Sequence, residues 1–285
     1  MTGGRGENSP NIGFFSLRTQ FENVGDALIN RELIRLMAGE GPTHVDLSRC
    51  PPEFRRTLAL QDIPNVRIAA NSKELFWKLL LEAWAGRRPF YFLSPGGYTG
   101  DVTGFLKRGA NLVALAMLRM LGVRLVQVGT SYDNLSTRHA WLLRMRSKLL
   151  WAHHVRDSES LGYGRSLGMN VHGVMPDLAF NIFDQDTGDR AMTGKAAICF
   201  RSDQYPDQLA EVEQIVTRHL IQSFSSLVIV VQVDRDIVGA TKLKSSLAQL
   251  GYRQVEIEVC AHDLKACAAI DVTPVSHPAI TRVRR

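Results

Sequence analysis

Short apolar runs alternate with longer segments of helical periodicity along most of the chain, and this alternation constrains the fold more than any other feature. It begins with the apolar run 11–17 and the periodic segment 27–37, and it is still present at residues 254–259. Strands that alternate with helices form right-handed βαβ units, whose strands lie in a mostly parallel sheet. The sequence therefore predicts an α/β fold.

A loss of periodicity divides the chain into two parts. Residues 181–194 are rich in Asp, Gly and Thr, and the alternation restarts after them. With 285 residues, two ordinary domains are expected. We predict an N-terminal domain over residues 1–185 and a C-terminal domain over residues 195–285. The second contains three predicted strands before the proline-containing stretch 273–285, so we expect it to be shortened and incomplete.

Cysteine usage and hydropathy indicate a cytoplasmic protein. The four cysteines are too scattered for a disulfide framework or a zinc site. Residues 1–10 lack the apolar core of a secretory signal. The most apolar stretch, residues 111–122, contains Arg119 and is shorter than the roughly 20 residues that span a bilayer. We interpret it as a buried helix.

Basic residues are concentrated in one part of the chain. The net charge of +6 does not by itself indicate nucleic acid. Between residues 102 and 156, however, nine basic residues stand against a single acid, Asp133. We expect a positive surface there, which is either a solvated helix face or a surface for a phosphate-bearing substrate, an anionic polymer or an acidic membrane leaflet. Nucleic acid is the least favoured partner, because no stacking aromatics are interleaved with the basic residues.

Loops that follow predicted strands carry the candidate functional residues. Ligands of open α/β sheets bind outside the carboxyl ends of the strands, so these loops are the first place to look for a site. In chain order they contain Asn23-x-Gly25-Asp26, a glycine-rich loop with Gly96 and Gly97, the turn Gly129-Thr130-Ser131, the segment Arg156-Asp157-x-x-Ser160, Pro176-Asp177, and Arg201.

Taken in this order, these motifs resemble the polysaccharide pyruvyl transferase family, over roughly residues 11–236. The resemblance implies two Rossmann-like domains in a GT-B-like arrangement, facing each other across a cleft, with the acceptor side in the first domain and the donor side in the second. It also implies transfer of pyruvate from phosphoenolpyruvate to two hydroxyls of a sugar, as a cyclic ketal. The acceptor would be a sugar or lipid-linked oligosaccharide of a bacterial exopolysaccharide or cell-wall glycan.

That chemistry assigns roles to the motif residues. Phosphoenolpyruvate carries a carboxylate and a phosphate, which an arginine fork suits best, and we assign Arg201 to it. A sugar hydroxyl must lose its proton, and Asp26 or Asp177 is the candidate base or sugar-orienting carboxylate. The candidate substrate-binding residues are Asn23, Gly25, Gly96, Gly97, Thr130, Ser131, Arg156, Asp157 and Ser160. The reaction requires no metal, and we expect no cofactor beyond the donor substrate.

One family feature is absent. Members of the family share a C-terminal Arg-x-His segment whose histidine is the natural acid or phosphate partner, and residues 268–285 contain none. His277, flanked closely by prolines, is a weak substitute. Two other functions therefore stay open: a GT-B glycosyltransferase that uses a nucleotide sugar, and a non-catalytic relative that binds glycan. The sequence leaves the oligomeric state undetermined.

Structural roles compete with the functional ones at several of these positions. Asp26 is also suited to capping the helix that follows it. Asp157 is suited to capping the helix that follows it, while it forms a surface ion pair with Arg156. Asp177 follows a proline and is suited to closing a turn. A peripheral contact between the basic region and an acidic inner leaflet is a further hypothesis.

Overall fold

The computed structural model describes residues 11–179, 194–200, 202, 208–220 and 223–260. It divides into two compact units, unit 1 (Met1–Gln20 and Asp26–Gln185) and unit 2 (Phe21–Gly25 and Asp186–Arg285). The short segment Phe21–Gly25 belongs to unit 2 because Asn23 forms an antiparallel bridge with Val233. The predicted linker, apart from Gly194, lies outside the described residues, as does the stretch 261–285 with His277.

Unit 1 is built on a parallel sheet that has eight strands among the described residues, in the order β3-β2-β1-β4-β6-β7-β8, with β5 paired to β6. Its strands are β1 (Gly13–Ser16), β2 (Thr43–Asp46), β3 (Val66–Ala69), β4 (Phe90–Leu93), β5 (Gly96–Gly100), β6 (Arg124–Leu135), β7 (Ala152–Val155) and β8 (Gly173–Val174). Its helices are α1 (Val24–Glu40), α2 (Pro52–Leu58), α3 (Ser72–Trp84), α4 (Phe105–Met120), α5 (Thr137–Ser147) and α6 (Ser158–Ser166), with a 3-10 turn at Leu60–Asp62.

Helix α3 begins where its capping sequence predicts. The side chain of Asn71 accepts hydrogen bonds from the backbone N–H groups of Lys73 and Glu74, both at 3.0 Å. The Glu74 carboxylate in turn accepts from the backbone N–H of Ala70 at 2.6 Å. Several otherwise unpaired donors of the first turn are thereby satisfied. The helix then continues from Ser72 to Trp84.

The predicted turn at residues 129–131 is wrong, because β6 continues through it to Leu135. The glycine-rich segment after β4 is not an open loop either but forms β5, in which Gly96 pairs with Thr130 and Gly97 with Ser131. The physical reason is that β6 supplies hydrogen-bond partners for the glycine backbone. Gly129 adopts a φ of 65°, which only glycine tolerates easily, and this lets the long strand change direction.

The prediction that residues 111–122 form a buried helix is half right. They belong to α4, but in this helix only Leu115 and Leu118 are buried. Both contribute to a core with Phe14 and Leu79, which lie on β1 and α3. Leu112 is half-buried, whereas Leu106, Val113, Met117 and Met120 are exposed.

Unit 2 confirms the predicted restart of the alternation. Its described strands form a parallel sheet of three, in the order β11-β10-β9. The elements are β9 (Lys195–Ile198), α7 (Gln208–Ile215) continued by a π-helical turn (Val216–Leu220), β10 (Ser226–Val231), a 3-10 turn (Asp234–Asp236), α8 (Ile237–Gln249) and β11 (Val255–Val259). Leu227 and Ile229 of β10 pack against Leu243 and Leu247 of α8 in a core of its own.

Candidate functional site

Three charged side chains meet at the carboxyl ends of two neighbouring strands of unit 1. Arg156 directly follows β7, and Asp177 lies shortly after β8. The Nε atom of Arg156 is 3.7 Å from Oδ2 of Asp157, and its Nη1 atom is 3.8 Å from Oδ2 of Asp177. These separations are ion pairs but too long for hydrogen bonds. The guanidinium N–H groups therefore remain available to a ligand.

In each carboxylate of this cluster, one oxygen accepts a backbone hydrogen bond and the other faces Arg156. Oδ1 of Asp157 accepts from the backbone N–H of Ser160 at 2.6 Å and caps α6. Oδ1 of Asp177 accepts from the backbone N–H of Ala179 at 3.0 Å and closes a turn. The structural roles foreseen for Asp157 and Asp177 are thus confirmed. Both residues nevertheless direct Oδ2 towards Arg156, at the partly exposed surface of the sheet edge.

This cluster has the donors and acceptors that a sugar hydroxyl needs. A hydroxyl both donates and accepts, and the cluster offers guanidinium N–H donors beside carboxylate oxygen acceptors. Each carboxylate faces the guanidinium of Arg156, so a neutral sugar can bind here without separating an ion pair completely. No group of three His, Cys, Asp or Glu side chains that could hold a metal ion is found in the part of the chain that the structure describes.

Two of the predicted substrate-binding hydroxyls are buried within the sheet edge. Thr130 has no exposed surface, and its backbone carbonyl accepts from the Arg156 N–H at 2.8 Å. The hydroxyl of Ser160 accepts from the backbone N–H of Tyr132 at 3.1 Å. The Thr130 carbonyl thus fixes the backbone of Arg156, and the Ser160 hydroxyl fixes the backbone of Tyr132 in β6. Ser131, in contrast, is partly exposed beside Gly97.

The residues of the segment Asn23-x-Gly25-Asp26 are divided between the two units. Asp26 lies in the first turn of α1, and its carboxylate accepts from the Thr19 hydroxyl and, at 3.1 Å, from the Gln20 N–H. It thereby closes the connection from β1. Asn23 and Gly25 belong to unit 2, where the Asn23 side chain accepts from the Gly25 N–H at 2.9 Å.

A network of polar side chains from β5, β6 and α5 was not predicted from the sequence. The hydroxyl of Tyr98 accepts from Nη1 of Arg146 at 3.2 Å and from Nε2 of Gln127 at 3.1 Å. The guanidinium carbon of Arg146 lies 4.8 Å from the centre of the Tyr98 ring. Burial by itself raises the pKa of Tyr98, but the charge and hydrogen bond of Arg146 outweigh it, and the pKa is lowered.

His153 extends this network into the core. Its Nδ1 atom lies 2.7 Å from the carbonyl oxygen of Asn170, which can only accept, so Nδ1 carries the proton. Nε2 therefore accepts from the hydroxyl of Tyr132 at 2.8 Å. Burial is the main cause that lowers the pKa of His153 to about 4, and the charge of Arg146 adds to it. The side chain of His153 is thus part of the packed interior.

The predicted positive surface is smaller than the sequence count implies. Arg146 lies against Tyr98, and Arg124 lies over the rings of Phe90 and Trp151 at 5.0 and 5.3 Å. The Nη2 atom of Arg146 is buried, so this guanidinium contributes less to the exposed surface, whereas the ring contacts leave the charge of Arg124 in place.

In unit 2 the residue after Arg201 is held firmly, whereas Arg201 itself lies outside the described residues. The backbone N–H and the hydroxyl of Ser202 donate to Oδ1 of the buried Asp236, at 2.8 and 3.1 Å. Asp236 lies at the N-terminus of α8, and the next turn contains Gly239. A Cβ atom at Gly239 would overlap the Ser202 side chain. Nothing in the sequence had singled out Asp236 or Gly239.

Replacement of Gly239 by alanine is expected to destabilise unit 2 by about 1–3 kcal/mol, because Ser202 must move away from α8. Amide hydrogen exchange of β10 would report this loss. The matched control is Gly109→Ala in α4, where a Cβ meets no atom within 4 Å. That change is expected to be neutral or to stabilise by up to about 1 kcal/mol. Unchanged exchange in Gly239→Ala would contradict the close contact.

Comparison with known proteins supports the fold and leaves the family undetermined. No family model matches the chain, and no curated protein matches it. Among solved structures, Anabaena HepE in complex with UDP-glucose is similar with a TM-score of 0.50 and 15% identity, over 87% of this chain and 68% of that one. A Listeria monocytogenes protein assigned as a UDP-N-acetylglucosamine 2-epimerase is similar with a TM-score of 0.44 and 11% identity, over 87% and 69%. The predicted fold class, α/β with two Rossmann-like units, is confirmed.

Proposed function

We propose that this protein is a sugar-modifying transferase, and more specifically a polysaccharide pyruvyl transferase that uses phosphoenolpyruvate. The observation that carries the proposal is the cluster of Arg156, Asp157 and Asp177 at the carboxyl edge of the unit 1 sheet. It has the chemistry of a sugar-hydroxyl site, and it lies where ligands of open α/β sheets bind. The acceptor is a sugar, free or lipid-linked, of an exopolysaccharide or cell-wall glycan.

The proposed reaction balances without a further reactant. One sugar hydroxyl adds to the C2 carbon of phosphoenolpyruvate, and a proton is added to the methylene carbon, which becomes a methyl group. A second hydroxyl then forms a bond to the same carbon, and the C–O bond to phosphate breaks. The two hydroxyl protons account for the new methyl hydrogen and for the proton that leaves with phosphate. The product is a cyclic ketal that bears a carboxylate.

The structure favours Asp177 over Asp26 as the base in this proposal. The carboxylate of Asp26 already accepts hydrogen bonds from Thr19 and Gln20 in the loop that joins β1 to α1. Asp177 keeps Oδ2 beside Arg156, at a partly exposed position. The guanidinium of Arg156 would orient the sugar, and Asp177 would take the hydroxyl proton. Arg201 would bind the donor in unit 2.

The HepE comparison favours a second candidate function. That protein was solved in complex with UDP-glucose, and this chain shares its fold. A glycosyltransferase that takes its sugar from a nucleotide is therefore the alternative. Its donor would be recognised through a nucleotide diphosphate and would not involve phosphoenolpyruvate.

The Asp177→Asn variant is expected to lose pyruvyl transfer at least about 100-fold in kcat, because a general base typically contributes 10²–10⁴. The amide oxygen of asparagine can still accept from the Ala179 N–H, so the turn is expected to persist. The assay supplies phosphoenolpyruvate with a panel of chromophore-tagged glycosides. It measures phosphate release together with the mass of the ketal product. The matched control is Asp62→Asn, which replaces an exposed aspartate of the 3-10 turn.

The same assay separates the candidate functions when UDP-glucose is supplied in parallel. Glycosyl transfer from UDP-glucose without turnover of phosphoenolpyruvate would replace the proposal by the alternative. Saturable binding of a glycoside without turnover of either donor would indicate a glycan-binding protein. Unchanged pyruvyl transfer by Asp177→Asn would remove that residue from the proposed mechanism.

A further inference from the structure

Helix α4 carries an apolar stripe on its outer surface as well as on its buried side. Leu106 is 86% exposed and Met120 is 79% exposed, and Val113 and Met117 lie exposed between them. These spacings of three, four and seven residues place all four side chains on one face of the helix. Leu115 and Leu118 occupy the opposite, buried side. The outward stripe therefore plays no part in the core of unit 1.

Helix α3 presents a second stripe of the same kind. Trp77 is 65% exposed and Trp84 is 88% exposed, and the exposed Leu81 lies between them at helical spacing. The buried sides of α3 and α4 belong to one core cluster with strands of the sheet. Both helices therefore cover the same side of the sheet, and we call their two outward stripes together the α3/α4 apolar surface. Patches of this kind on a folded protein usually mark an interaction site.

Basic residues outnumber acidic ones along the two helices that carry the α3/α4 apolar surface. Residues 72–88 contain four basic and two acidic residues, and residues 105–120 contain three basic and no acidic residues. The two acids, Glu74 and Glu82, are already paired with Lys78 at 2.7 Å and with Arg87 at 3.1 Å. The exposed Arg88 and Arg119 lie near the ends of the two helices that carry Trp84 and Met120.

We propose that the α3/α4 apolar surface docks unit 1 onto an anionic lipid surface. Exposed tryptophans beside arginine and lysine are the side chains that partition to the headgroup level of a bilayer. An anionic leaflet complements the excess of basic charge. A second copy of this chain fits less well, because it would bring the same cations face to face. No helix among the described residues is long and apolar enough to cross a membrane.

Vesicle co-sedimentation of the purified full chain tests this inference. The vesicles are phosphatidylcholine alone, or phosphatidylcholine with phosphatidylglycerol, each at low and at raised salt. We expect at least tenfold tighter binding to the anionic vesicles, weakened by salt because the charges are screened. The double variant Trp84→Ser with Met120→Ser is expected to lose at least tenfold in vesicle affinity. Its side chains are exposed, so its circular dichroism and thermal unfolding should match the parent.

The matched control is Val238→Ser, which removes an exposed apolar side chain from α8 in unit 2 and is expected to leave binding unchanged. Equal affinity for neutral and anionic vesicles, or no binding, would overturn the proposal, as would full binding by the double variant. A dimer in light scattering that the double variant dissociates would assign the surface to a second copy instead. The inference does not depend on the proposed transfer reaction, since the vesicles contain no acceptor or donor.

Discussion

Acidification from pH 7 to pH 4 is expected to lower the free energy of unfolding of unit 1 by about 3 kcal/mol through His153 alone. The pKa of this buried histidine is about 4 in the folded protein, against a reference value of 6.5. Each unit of difference corresponds to about 1.4 kcal/mol. Below pH 6.5 the unfolded chain takes up a proton that the folded protein does not, because burial and the charge of Arg146 disfavour the charged imidazolium of His153.

The sign of this dependence follows from linkage. The contribution of His153 is fully present above pH 6.5, declines as the pH falls towards 4, and is absent below that. Urea unfolding at several pH values, followed by tryptophan fluorescence, would measure it. The four tryptophans all lie in unit 1, so the signal reports that unit.

The variant that isolates this effect is His153→Gln. It is expected to be less stable than the parent at pH 7, because the hydrogen bonds to Tyr132 and Asn170 are disturbed. Its free energy of unfolding is expected to change less with pH between pH 4 and 6.5. The control is His219→Gln, at an exposed position in unit 2, which should keep the slope of the parent. Equal slopes in the parent and His153→Gln would contradict the assignment.

The sequence predicts the fold well because its strongest signal is periodic. Alternating apolar runs and helical segments depend only on residues close in the chain, and they located most strands and helices of both units, although not α2. The same local character explains the failure at β5. Its residues, Gly96–Gly100, have a composition typical of a loop, and they become a strand only because β6 offers a partner about 30 residues later. The attachment of Phe21–Gly25 to unit 2 depends in the same way on contacts with distant residues.

The part of the candidate site that follows from the order of the parallel strands was predictable from the sequence. Arg156 and Asp177 follow neighbouring parallel strands, so the rule that ligands bind at carboxyl edges brings them together. The network of Tyr98, Gln127 and Arg146 had no such signal, because its members lie far apart in sequence and on different elements. The outward stripe of α4 was missed for another reason. Hydropathy shows that a helix is apolar, but it does not show which of its sides has a partner.

Replacement of Arg201 by alanine is expected to weaken binding of phosphoenolpyruvate at least about 30-fold. The residue follows β9 closely in sequence, at the carboxyl end of a strand in a parallel sheet, where an anionic ligand is expected. A guanidinium that binds a carboxylate or phosphate contributes charge-assisted hydrogen bonds of about 1.5–3 kcal/mol each, and the loss of two exceeds a factor of 30. Ser202, the next residue, is anchored to Asp236, so the variant is expected to keep its local fold.

Calorimetric titration of phosphoenolpyruvate into the parent, Arg201→Ala and Arg218→Ala measures this effect directly. Arg218 is an exposed arginine of the π-helical turn in unit 2, so its removal changes the net charge equally and tests for a merely electrostatic loss. Saturable binding by the parent and by Arg218→Ala, but not by Arg201→Ala, would assign the donor to Arg201. Equal affinities in all three would contradict that role. If the parent fails to bind phosphoenolpyruvate but binds UDP-glucose, the donor is a nucleotide sugar. The site then recognises the nucleotide diphosphate and does not recognise the carboxylate and phosphate of phosphoenolpyruvate.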